Sequence, residues 1–176
     1  MKKTIYSLIL PAVFLCLADC SLNKKEKAGI YFDEEKFAEQ KSLYEIEPLS
    51  SYTLTYSFDR GDAFPPYEGD GTLVRDKDSY TLTFSKNDGT GDSIPDSTSR
   101  YYIKSIDDLF SYIQKEYEEG SDFCSRYPDE YRIVLTVEYD EEYHFPVTVE
   151  TEIKSVEDSA VGFGNTGIKV KAFSIF

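Results

Sequence analysis

Between residues 52 and 58 the chain reads Tyr52-Thr53-Leu54-Thr55-Tyr56-Ser57-Phe58, with a large apolar or aromatic side chain at each even position and a small hydroxyl between. A period of two is the period of side chains along a β-strand, so this stretch predicts a strand with one buried face. The alternation recurs at residues 79–85, where Tyr80, Leu82 and Phe84 oppose Thr81, Thr83 and Ser85. A further strand is expected at 71–75, joined to it by a turn at Asp76-Lys77-Asp78. The intervening DRGDAFPPYEGDG (59–71) holds two prolines and three glycines and reads as a loop.

Outward from these strands the period changes to that of a helix. Ser105 and Asp108 stand in capping-box positions, and Ile106, Leu109, Phe110, Ile113 and Tyr117 fall on one face, with Gly120 expected to stop the helix. An earlier helix is expected from Glu34 to about Ile46, capped by Asp33, with acids in its first turn and Pro48 beyond its end. The final third returns to strands at 132–140, 145–153 and 167–175, the first two joined through Glu141-Glu142. Helix, three strands, helix, three strands argues an α+β fold: an antiparallel sheet of about five to six strands with two helices packed on one face.

Residues 1–20, MKKTIYSLILPAVFLCLADC, have the anatomy of a signal peptide. Lys2 and Lys3 precede an apolar stretch too short for the roughly 20 residues of a bilayer crossing. The ending Leu17-Ala18-Asp19-Cys20 resembles the lipobox of bacterial lipoproteins, with Asp19 where Gly, Ala or Ser is usual. That resemblance implies cleavage before Cys20 and an acyl lipid on its thiol; an uncleaved anchor and ordinary secretion are the alternatives. The expected organisation is a signal peptide at 1–19, a flexible tether at 20–30 and a single domain at 31–176.

Cleavage there would remove two lysines and one aspartate, moving the formal net charge from -14 to -15 on 157 residues, enough for one domain. Such acidity repels phosphate backbones, so no nucleic-acid partner is expected. Cys16 would leave with the signal peptide and Cys20 would carry lipid, which leaves Cys124 without an intramolecular partner.

Several motifs test specific chemistries. Gly162-Phe163-Gly164-Asn165-Thr166-Gly167 satisfies the dinucleotide pattern, yet only nine residues follow it and they read as strand. No helix N-terminus could then receive a pyrophosphate, so the stretch is expected to be a hairpin loop and no nucleotide or other cofactor is expected. Asp88, Asp92 and Asp96 lie in the polar loop 86–100 and are weak candidates for calcium, but counting from Asp88 places Thr90 third and Ser99 twelfth, which fails the EF-hand pattern. Arg60-Gly61-Asp62 matches an adhesion tripeptide that arises readily by chance. His144 beside Asp140, Glu141 and Glu142 is not a zinc or iron signature, and a Cys124/His144 nucleophile pair is a remote reading. No nucleophile elbow, phosphate loop or HExxH helix is present, so no catalytic residue is expected.

Two further clusters carry a resemblance. Ser105-Ile106-Asp107-x-Leu109-Phe110 and the later Tyr139-Asp140…Tyr143-x-Phe145-Pro146 resemble a family of small bacterial lipoproteins of unknown function. Tyr52-x-Leu54-x-Tyr56 fits the same pattern; the cysteine pair that many members carry near the first strand is absent here. The resemblance implies a lipid-anchored envelope protein, on the outer membrane or cell surface. The expected function is a noncatalytic binding or assembly module. Its partners would be the membrane through lipid on Cys20 and an envelope protein or glycan, which the 15 tyrosines and 12 phenylalanines would suit. The alternative is a calcium-dependent or hydrolytic envelope protein using acidic loop residues.

Overall fold

A computed structural model describes residues 27–60, 67–86, 99–157 and 162–176. The elements in chain order are β1 (Gly29–Tyr31), α1 (Glu34–Ile46), β2 (Ser51–Arg60), β3 (Tyr67–Asp76), β4 (Ser79–Lys86), α2 (Ile106–Arg126), β5 (Tyr131–Tyr139), β6 (Pro146–Ser155) and β7 (Gly162–Ile175). The strands form one sheet in the order β1-β5-β6-β7-β2-β3-β4. Every neighbouring pair is antiparallel except β1 with β5.

The α+β class stands, but the sheet has seven strands where five to six were expected. The additional strand is β1, whose three residues are too few to display a period. Gly29 and Ile30, assigned from sequence to the tether, pair in parallel with Arg132 and Ile133.

Three glycine-based expectations are also corrected, all for one physical reason: these glycines mark close approach within regular structure. Tyr67 to Asp70 is strand, not loop, and Gly69 lies under the ring of its partner Phe58, where an added Cβ would stand 2.7 Å from the ring carbon Cζ. Gly120 does not stop α2. The helix runs on to Arg126, and Gly120 leaves room for Ile30 of β1, whose Cδ1 would be 2.7 Å from a Cβ. The stretch from Gly162 to Gly167 is the start of β7, not a hairpin loop. Gly167 is paired on both sides, with Asp59 of β2 and Glu150 of β6, and the ladders outweigh the low strand propensity of glycine.

Local signals formed as expected at both helix starts. Asp33 accepts from the Lys36 N–H at 2.9 Å. In the capping box of α2, Ser105 Oγ accepts from the Asp108 N–H, and Asp108 Oδ2 accepts from the N–H groups of Ser105 and Lys104. Three donors that an isolated helix end would leave to water are thereby satisfied across the two caps, along with the Lys104 N–H just outside α2.

The core gathers Tyr52, Leu54, Tyr56 and Phe58 of β2 with Leu73, Leu135, Val149 and Ile168 from other strands, Phe145 just before β6, and the α2 stripe Ile106, Leu109, Phe110, Tyr112 and Ile113. Buried tyrosines require partners for their hydroxyls. Tyr52 Oη accepts the N–H of Ile106 at 2.9 Å, and Tyr56 Oη donates to the Tyr101 carbonyl at 2.8 Å. Two strand side chains thus hold the chain leading into α2. The helix contacts β1, β5 and β6. Helix α1 contributes only Tyr44 to the fully buried set, and the rings of Tyr44 and Phe37 meet Phe110 at 5.4 and 6.0 Å.

Candidate binding surfaces

Glu116 is the single acidic side chain buried among the described residues. It lies on the apolar stripe of α2, three residues after Ile113, where a carboxylate needs partners to offset its lost hydration. Arg100 Nη1 donates to Glu116 Oε1 and Nη2 to Glu119 at 2.9 Å, while Thr151 of β6 donates to Glu116 Oε2 at 3.0 Å. Burial opposes the charge on Arg100, but the Glu116 and Glu119 carboxylates outweigh it and raise its pKa. The Tyr112 hydroxyl lies beside Thr166 without full hydrogen-bond geometry, and burial followed by the nearby Glu116 raises its pKa too. Arg100, Glu116, Glu119, Thr151 and Thr166 border a cavity of about 340 Å³ that Asp122, Phe123, Arg126, Ile133 and Ile153 also line. The Glu116 and Glu119 carboxylates share the Arg100 guanidinium as counter-charge, and of the acidic side chains lining the cavity only Glu116 is buried. The arrangement ties α2 to β6 and to the loop before α2.

A different surface lies at the end of the sheet where β2 begins and β7 finishes. Leu43, Ile46, Leu49, Tyr143, Ile175 and Phe176 line an open groove of about 740 Å³. Ile46 is 78% exposed and Phe176 65%, the two most exposed large apolar side chains described. The charged residues lining the groove are Glu47 and Glu142, with no lysine or arginine. Its wall is a firm hairpin turn. Asp140 Oδ1 accepts from the N–H groups of Glu142 and Tyr143 at 3.0 and 2.7 Å, and His144, with φ of 61°, closes the turn as Asp140 N–H donates to the Phe145 carbonyl. His144 Nδ1 meets Gln40 Oε1 of α1 at 3.1 Å.

The sequence candidates distribute as follows. Cys20, Asp88, Asp92 and Asp96, with the signal peptide and most of Arg60-Gly61-Asp62, lie outside the described residues. Cys124 and His144 are not brought together. Cys124 meets the Gly29 backbone where β1 and β5 start, whereas His144 follows the end of β5, a strand length of about 30 Å away. Burial pushes the Cys124 thiol pKa up, partly offset by the Gly29 backbone, which disfavours the thiolate a nucleophile needs. Among the described residues no three His, Cys, Asp or Glu side chains group to hold a metal, and no helix is long and apolar enough to cross a membrane.

The tyrosines are divided. Tyr44, Tyr52, Tyr56, Tyr101 and Tyr112 are core, while the exposed Tyr31, Tyr80 and Tyr127 stand on separate elements. Sequence reading missed the groove because its residues come from α1, the link after it, one hairpin turn and the end of β7, and no one of these segments has a period that reveals it. Glu116 did have a signal, a carboxylate on an otherwise apolar helical stripe.

Comparison with known proteins finds no matching family model, no similar curated protein and no similar solved structure.

Proposed function

We propose that this chain is a noncatalytic binding or assembly module of the bacterial cell envelope, anchored by lipid on Cys20 and displayed on the outer membrane or cell surface. In this reading both helices cover one face of the seven-stranded sheet. The Tyr44–Phe110 ring contact and the Tyr52 and Tyr56 hydroxyls bonded to the approach to α2 support that placement.

The single observation carrying the function is the end groove. Large apolar side chains left in water at one place suit a protein partner, and a rim holding Glu47 and Glu142 without a cation selects its charge. The occupant is an apolar segment bearing lysine or arginine from another envelope protein. The geometry of the tether favours such a role, because β1 begins at the opposite end of the sheet and an anchor there leaves the groove facing outward.

The test is titration of the full chain with a synthetic amphipathic Leu/Lys helix and, as control, its Ala/Lys counterpart. Saturable binding of the first alone, weakened about tenfold or more by Ile46→Asp and relieved by salt, supports the groove. Equal binding of both peptides, or indifference to Ile46→Asp, refutes it.

A further inference from the structure

The end of the domain opposite the groove carries a second aromatic group. Phe123 and Tyr127 at the close of α2 and Tyr131 at the start of β5 form a mutual cluster, with ring centroids 4.9, 5.1 and 5.8 Å apart. Phe123 and Tyr131 are half-buried, and Tyr127 stands 42% exposed. Arg126 is exposed beside them, and the Arg132 guanidinium lies over the exposed Tyr31 ring at 4.7 Å.

The chain's own N-terminal segment leaves from this place. Gly29 of β1 is paired with Arg132, one residue from Tyr131. Eight residues, and so nine residue-to-residue steps, separate Gly29 from Cys20. The covalent reach of those nine steps is at most about 30 Å. A domain held so closely meets the bilayer at a high effective concentration, so even a weak contact is populated.

We propose that the Phe123/Tyr127/Tyr131 cluster rests in the headgroup region of the bilayer that carries the anchor, fixing the orientation of the domain. The inference rests on lipidation of Cys20. A tyrosine ring with a polar tip and an apolar body suits that layer, and an arginine beside it can reach the phosphates. Exposed Asp129 and Glu130 flank the cluster, so the contact is with a zwitterionic surface rather than a strongly anionic one.

The chain contains no tryptophan, so a single substitution supplies an unambiguous reporter. Membrane-extracted full chain, with its mass showing the acyl group, is reconstituted into phosphatidylcholine vesicles as Tyr127→Trp, Tyr131→Trp and Ile46→Trp. Tryptophan at 127 and 131 is expected to shift to the blue and to lose emission when brominated phosphatidylcholine replaces part of the lipid, whereas tryptophan at 46 keeps the spectrum of the vesicle-free protein. Quenching at 46 instead, or at none of the three positions in a lipidated chain, overturns the contact while leaving the anchor intact. A mass without lipid overturns the anchored reading and the contact with it.

Discussion

The two helices of this chain have the same kind of start and quite different holds on the domain. Both begin with a side-chain cap and two acids in the first turn. Helix α2 then buries seven residues, including Ile106, Leu109, Phe110 and Ile113, and is bonded at its entrance by tyrosines of β2. Helix α1 buries one, Tyr44, and is otherwise held by ring contacts of Phe37, the Tyr117–Glu34 hydrogen bond and the Gln40–His144 contact. A cap fixes where a helix begins; the width of its buried stripe decides how firmly it stays.

The largest effect that would break this contrast is alkaline unfolding. Burial, followed by nearby Asp107 for Tyr44 and by Glu116 for Tyr112, raises both phenol pKa values above the ordinary 10.0. Burial likewise raises Tyr52 and Tyr139. The folded state therefore favours the neutral phenol. Its contribution is complete below about pH 10, the pKa in the unfolded chain, and is lost as pH climbs through the raised folded values. Tyrosine absorbance should show the buried phenols ionising with loss of helical circular dichroism. Carbon-labelled tyrosine NMR should show Tyr44 on α1 ionising before Tyr112 on α2; simultaneous ionisation would mean that α1 is as firmly held as α2.

Next in size is Phe110→Ala. Phe110 is 3% exposed and is the α2 residue on which both α1 rings rest. Its truncation should cost about 3–5 kcal/mol in urea unfolding and should free α1 before the rest of the domain, seen as faster amide exchange over residues 34–46.

The smallest effects compare the caps. Ser105→Ala should lower global stability by about 1 kcal/mol, because α2 unfolds only with the core. Asp33→Ala should leave the urea midpoint nearly unchanged and accelerate exchange in α1 alone. An equal shift in midpoint from both would show that α1 is part of the same cooperative unit.

The same contrast explains what could be read from sequence. Strands with a buried face and a polar face announced themselves, as in 52–58 and 79–85, and the capping box of α2 was legible because Ser105 and Asp108 bond locally. Glycine misled in three places, before residue 71 at Gly69, at Gly120 and before residue 167 in the stretch 162–166, since a turn and regular structure use the same residue and only a neighbouring ring, side chain or strand separates them. Strand β1 carries no pattern of its own; its reason for existing is the open edge of β5, a hundred residues away. The groove was hidden for a related cause, being assembled from segments distant in sequence, while Glu116 could have been noticed as a charge needing Arg100 and Thr151.

The strand order also bears on how the chain comes together in time. Strand β7, last of the seven in chain order, sits between β6 and β2 and is bonded to both. Until it arrives, β2-β3-β4 and β1-β5-β6 are two half-sheets with facing open edges and no shared ladder. In a polypeptide delivered N-terminus first, from a ribosome or through a pore, α2 and the β2 tyrosines bonded to its entrance can bridge the two half-sheets early. The continuous ladder closes only when residues 162–175 enter between them, as a keystone closes an arch.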